Sequence, residues 1–195
     1  ADLRNRADRI AKVLIEDHGL VPGNRVLLRA ANNPMLVACW FAVLKAGGIC
    51  VTTMQLLRVR ELVYIVEKAE IRHALCDISL AEAMKETCER KPEVKDTLYF
   101  TATGDGDASL YQAVTSKIEG LKNCDTAADD TALIAFTSGT TGTPKATMHF
   151  HRDVIAMCDC FARSFNMAEP HDIFTGTPPL AFTFGLGGLT CFPMR

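Results

Sequence analysis

The chain lacks an apolar run long enough to cross a bilayer. Its longest, Met35 to Leu44, is closed by Lys45, well short of the ~20 residues a membrane helix needs. It lacks an excess of charge of either sign. With 21 basic and 23 acidic residues the net charge is −2, and the pI near 6.2 leaves no broad basic surface for nucleic acid. No C-x-x-C pair occurs among its eight cysteines, and Cys158 and Cys160 point to opposite sides of a helix, so the spacing of a zinc site is missing. Most of Cys39, Cys50, Cys76, Cys88, Cys124, Cys158, Cys160 and Cys191 sit in apolar stretches, where a free thiol behaves as a small hydrophobe. That usage fits a reducing, cytoplasmic setting. No secretory leader, internal repeat or low-complexity tract is visible.

What is present is a 195-residue chain, 48% apolar, large enough for one α/β core. Helical and extended patterns alternate along it, the mark of a mostly parallel sheet flanked by helices. Leu3, Ala7, Ile10 and Leu14 share a helical face that stops at Gly19. A turn at 21–24 leads into a strand over 25–29. Asn33 as N-cap and Pro34 at the first helical position open a helix that is apolar nearly all round, hence buried. Gly47 and Gly48 end it before a strand over 49–53. A helix through Leu62, Ile65, Val66 and Ala69 follows, then a strand over 73–76, a polar helix over 80–90 and a strand over 97–101. Residues 103–107 read as a surface turn and 119–130 as a charged connection. The expected organisation is a first αβ portion over about 1–118 and a second portion over about 131–195.

The second portion holds the densest signal. After the apolar segment Ala132 to Phe136 comes Thr137-Ser138-Gly139-Thr140-Thr141-Gly142-Thr143-Pro144-Lys145, with five hydroxyl side chains, two glycines, one proline and one lysine. Backbone N–H groups, hydroxyl donors and a cation converging on one point bind oxyanions, phosphate above all. The G-x-x-x-x-G-K-[ST] spacing is absent: five places after Gly139 stands Pro144, and Ala146 follows Lys145. Residues 145–150 alternate like a strand, so the context is strand, loop, strand, then a helix from about His151. A Thr/Ser/Gly-rich solvent turn would use the same small residues. It would need neither the lysine nor the flanking strands.

This loop, read on as TSGTTGTPKATMH, resembles the signature of the adenylate-forming superfamily: acyl-CoA synthetases, peptide-synthetase adenylation domains and luciferases. Three further stretches occur in that family's order: Val21 to Val26, Ala38 to Gly48, and Thr177 to Gly187 (TPPLAFTFGLG). The last of these, continuing to Phe192-Pro193-Met194, is similar to benzoate and 2-aminobenzoate CoA ligases. The resemblance implies an incomplete N-terminal large domain. The chain opens inside a helix without a start methionine and closes straight after an apolar Gly-rich run, so both edges look cut. The family's later adenine- and ribose-binding segments, its hinge and its C-terminal domain with the adenylation lysine have no counterpart here. The chain alone is therefore expected to be inactive, and Lys145 is not that lysine.

The resemblance also implies residue roles. Thr137, Ser138, Gly139, Thr140, Thr141, Gly142, Thr143 and Lys145 would hold the ATP phosphates, with Thr141 and Lys145 taking the catalytic part. Mg²⁺ would be held through the phosphates near Thr141. Phe182, Thr183, Phe184 and Gly185 would face an aromatic acid, Phe184 standing beside its carboxylate, and coenzyme A would accept the acyl group. Ordinary core filling remains the other reading of Phe184. His149 and His151 invite a metal reading, since on one strand they would share a face. The resemblance makes them structural, His151 opening a helix that turns Val154, Met157 or Cys158, Phe161 and Phe165 inward. Asp105 and Asp107 read as turn residues. Gly185-Leu186-Gly187-Gly188 lacks the third glycine of a dinucleotide fingerprint, Thr190 standing in its place. An amino-acid adenylation domain feeding a carrier thiol, and a non-catalytic polyphosphate-binding fragment, stay open as alternatives. A homo-oligomer is compatible with all of these readings.

Overall fold

The computed structural model describes residues 2–137 and 144–195. Among them six strands form one sheet in the order β4-β3-β1-β2-β5-β6. The strands are β1 (Arg25–Arg29), β2 (Ile49–Thr53), β3 (His73–Asp77), β4 (Asp96–Phe100), β5 (Thr131–Phe136) and β6 (Ala146–Phe150). All neighbouring pairs are parallel except β5 and β6, which run antiparallel with Ile134 opposite Met148. The helices are α1 (Asp2–Lys12), α2 (Pro34–Lys45), α3 (Val59–Lys68), α4 (Ala81–Arg90), α5 (Ser109–Thr115), α6 (His151–Met157) and α7 (Thr183–Leu186). The architecture is the mixed α/β class expected, with a mostly parallel sheet.

Successive residues of β1 serve two cores, which is why the strand is apolar throughout. Val26 and Leu28 pack with Ile10, Trp40 and Phe100 on one face, and Leu27 packs with Val51, Ile65 and Met84 on the other. The start of α2 follows the sequence signals: the Asn33 side chain accepts from the Leu36 N–H at 2.9 Å, and Pro34 occupies the first turn. Beyond its end Gly47 takes a φ of +77°, and a Cβ there would lie 2.6 Å from the Cys124 sulfur. Both facts reserve the position for glycine. No helix among the described residues is long and apolar enough to cross a membrane.

Several expectations are corrected. The first helix ends before Gly19 (φ +63°) as expected, and what the spacing missed is the π-type hydrogen bonding of its last turn, Val13–Asp17. Helix α5 was not anticipated; its buried anchor is Leu110, and its short amphipathic pattern is hidden between turn residues. Neither Phe161 nor Phe165 is buried: they are 40% and 74% exposed, and the two rings stack on each other at 5.1 Å. The cause is a change to i→i+5 bonding over Cys158–Phe165, after which i, i+4 spacing no longer follows one face. His149 and His151 share no strand face, since β6 ends at Phe150 and His151 is already helical. His149 Nε2 lies 3.2 Å from the Thr147 hydroxyl.

Candidate functional site

Parallel pairing decides where the site lies. Because β5 runs parallel to β2, Phe136 and Thr137 leave the sheet at the same edge as Thr53. This is the carboxyl-terminal edge, where open α/β sheets bind ligands. The chain returns along β6, and the Thr137 N–H donates to the Lys145 carbonyl at 2.9 Å, closing the base of the connection. Thr137 and Lys145 are both exposed there. Ser138, Gly139, Thr140, Thr141, Gly142 and Thr143 lie outside the described residues. On the exit side the Pro144 carbonyl accepts from the Tyr64 hydroxyl at 3.0 Å, and the Tyr64 ring meets Phe136 edge-on at 6.4 Å. Helix α3 therefore fixes one limb of the connection.

A cavity of about 130 Å³ opens beside these limbs, and Thr137, Pro144 and Phe182 all contribute to its wall. Two sequence stretches read as parts of one site, the hydroxyl-rich connection and Thr177 to Gly187, thus meet. The floor is formed by Thr52, Met54 and Leu57. It is held from below by Arg29, whose buried guanidinium donates to the carbonyls of Met54, Gln55 and Leu57 at 3.0, 3.1 and 2.8 Å. Burial lowers the Arg29 pKa, yet a guanidinium stays charged in proteins. Charge-assisted bonds of this kind are the stronger class, and here they freeze the loop after β2.

The 178–186 stretch is shaped by close approach. The Phe182 N–H bonds the Pro179 carbonyl at 3.0 Å, and the Leu186 N–H bonds the Phe182 carbonyl at 2.9 Å, turning the chain into α7. Gly185 is buried where a Cβ would stand 2.2 Å from the Pro179 oxygen; a side chain there would force the turn open. Thr183 is partly buried, and Phe184 is 72% exposed and outside the cavity wall. Of the residues expected to face the acid, then, Phe182 reaches the cavity, Gly185 serves packing, and Thr183 and Phe184 do not line the cavity. The supporting residues Arg29, Asn32, Thr52 and Tyr64 were not singled out from the sequence. Each acts on backbone carbonyls or amides far along the chain, and no local spacing announces such a bond.

The AMP-binding enzyme family matches residues 1–195. A 3-hydroxybenzoate–CoA/4-hydroxybenzoate–CoA ligase of Thauera aromatica is 30% identical over 187 residues, covering 89% of this chain and 34% of that protein. A benzoate–CoA ligase of the same organism is 25% identical over 193 residues, covering 99% of this chain and 36% of that protein. The chain thus spans about a third of the length of these relatives. Among solved structures, ATP-bound MatB from Rhodopseudomonas palustris superposes with a TM-score of 0.85 at 27% identity, over 98% of this chain and 37% of that one. The anthranilate CoA ligase AuaEII in complex with anthranoyl-AMP gives a TM-score of 0.91 at 23% identity, over the same shares; that likeness speaks for the fold.

Proposed function

The chain belongs to the AMP-binding enzyme family, and on that premise we propose that it forms the phosphate- and acid-binding part of an ATP-dependent acid:CoA ligase for an aromatic acid. The observation that carries this reading is the meeting, at the carboxyl-terminal edge, of the Thr137–Lys145 connection with Phe182 around one cavity. The two Thauera relatives, whose names make them benzoate and hydroxybenzoate ligases, favour an aromatic acid. Benzoate, or 2-aminobenzoate bonded through its ortho amino group to the Thr183 hydroxyl, suits the Thr177–Gly187 stretch.

The chemistry proceeds in two displacements. A carboxylate oxygen attacks the α-phosphorus of ATP and pyrophosphate leaves, giving the acyl-adenylate. The CoA thiol then attacks the acyl carbon, and AMP leaves with the bonding pair. Ser138, Thr140, Thr141 and Lys145 offset the charge that builds on departing pyrophosphate, while Gly139 and Gly142 let the backbone approach it. Mg²⁺, when bound, neutralises the same oxygens. Thr141 would hold the ion through those phosphates, with water completing its shell. Phe182, which reaches the cavity wall, would keep water from the activated acyl group. The residues over 131–195 act as the phosphate-loop portion, and the mostly buried, free cysteines suit a cytoplasmic enzyme.

The longest reading frame that contains this chain is the protein to assay, with a panel of acids, ATP and CoA. CoA-dependent AMP release on benzoate or 2-aminobenzoate, in excess of that on amino acids, is the expected result. Lys145→Ala should slow acid-dependent ATP–pyrophosphate exchange by about 10²–10³-fold, the usual effect of losing one fixed donor. Normal exchange in that variant removes the phosphate role of the loop. In the same panel Thr183→Ala should narrow the preference for 2-aminobenzoate over benzoate. The 195-residue chain by itself is expected to bind pyrophosphate without turning over.

A further inference from the structure

Residues 178–182 lead to the cavity-lining Phe182 without belonging to any strand or helix, and Pro178 and Pro179 remove two of the backbone donors a sheet ladder would use. What holds them is a pair of side chains from the carboxyl-terminal ends of β1 and β2. The Asn32 amide spans the turn: its Nδ2 donates to the Pro178 carbonyl at 3.0 Å, and its Oδ1 accepts from the Leu180 N–H at 2.7 Å. The Ala181 carbonyl accepts from the buried Thr52 hydroxyl at 2.9 Å. Two residues more than 120 positions earlier in the chain thus bond three backbone groups of the 178–181 turn, in place of a neighbouring strand. Thr52 also lines the cavity that Phe182 closes. Among the described residues, neither side chain hydrogen-bonds to Thr137, Pro144 or Lys145.

We propose that Asn32, seconded by Thr52, is a positioning residue for the acid. By clamping 178–181 it sets where Phe182, Thr183 and Phe184 stand, and so fixes acid affinity and selectivity while leaving the grip on the ATP phosphates alone. This rests on the acid-ligase reading above. The physical lever is geometric. The clamp's three bonds hold the turn in one place, and a displacement of about 1 Å at a reacting group costs on the order of 10²-fold in rate.

Three variants of the longest reading frame test it: Asn32→Ala removes both bonds, Asn32→Asp keeps the acceptor for Leu180 and sets a carboxylate against the Pro178 carbonyl, and Thr52→Val is isosteric without the hydroxyl. Expected are a fall of roughly ten-fold or more in kcat/KM for the acid, a flattened ranking across an acid panel, and a KM for ATP within about two-fold of wild type. Hydrogen exchange should rise at Leu180 and through 182–186 and not in β1 or β2. Equal losses for acid and ATP, or kinetics unchanged once corrected for folded fraction, would overturn the positioning role. Unchanged exchange at Leu180 in Asn32→Ala overturns the clamp itself. An enzyme that activates no acid at all would instead sink the ligase reading, and the exchange measurement separates that failure from this one.

Discussion

His73, the first residue of β3, is 8% exposed, and its Nδ1 has no hydrogen-bond partner among the described residues. Burial pushes its pKa below the ordinary 6.5; the Asp96 carboxylate opposes this, while His18, Arg72 and Lys95 add to it. The folded protein therefore holds His73 neutral, and the unfolded chain takes up the proton first as pH falls. The stability this residue contributes is fully present above the unfolded pKa of about 6.5 and is lost as pH drops through that value toward the folded one. Urea midpoints measured from about pH 8 to pH 5 should decline on the acid side, and His73→Asn should remove part of that slope. An identical pH profile in the variant would show that His73 is not the group titrating. At this scale the sequence is selective in what it reveals. The hydroxyls and Lys145 draw the proposal of a phosphate site by density alone, whereas His73 and Asn32 owe their roles to burial and to partners distant in the chain.

Helices α1 and α2 meet across an ion pair. Lys45, the last residue of α2, brings its Nζ within 3.0 Å of Asp8 Oδ1 on α1, with side-chain exposures of 16% and 2%. That oxygen has no aligned hydrogen bond, so the attraction is Coulombic. Deleting one charge leaves the other buried and unpaired, which costs about 3–5 kcal/mol, whereas replacing both by apolar groups is often close to neutral. Lys45→Met should therefore lower the unfolding free energy by about 3 kcal/mol, and the double variant Asp8→Leu/Lys45→Met should recover most of it. A single variant costing under about 1 kcal/mol would mark the pair as solvent-screened. The elements that carry this pair differ in legibility. The bounds of α2 were plain because Asn33, Pro34 and Gly47 are chemical stops and starts, and the alternation over 146–150 announced β6. The π-type segments were not, since a hydrophobic pattern with gaps of three and four does not distinguish i→i+4 from i→i+5 bonding.

Across the whole molecule the apolar surface is unevenly distributed. The β1–β4 half buries Leu27, Leu75, Phe100 and Met84 almost completely. Leu56 and Ile118 are exposed in the first portion, but large exposed side chains are denser from β6 onward: Met148, Ile155, Phe165, Met167, Ile173 and Phe184, with Ile173 92% exposed. The fold class could be read from the alternation of periods, because every strand of the parallel part is flanked by its own helix. The asymmetry could not, because a sequence gives the same apolar residues whether they are covered or not. Each exposed side chain of this size stands to gain about 25 cal/mol per Å² on being covered, and several within one stretch exceed what a monomeric surface usually tolerates. The 195-residue chain in isolation is accordingly expected to associate as its concentration rises into the range of about 100 µM. Sedimentation velocity should show the weight-average coefficient climbing with concentration. Phe165→Ser combined with Ile173→Asp should reverse much of that climb without lowering the thermal midpoint, since neither side chain supports the core. A concentration-independent monomer in the unsubstituted chain would mean that these side chains cover one another in solution.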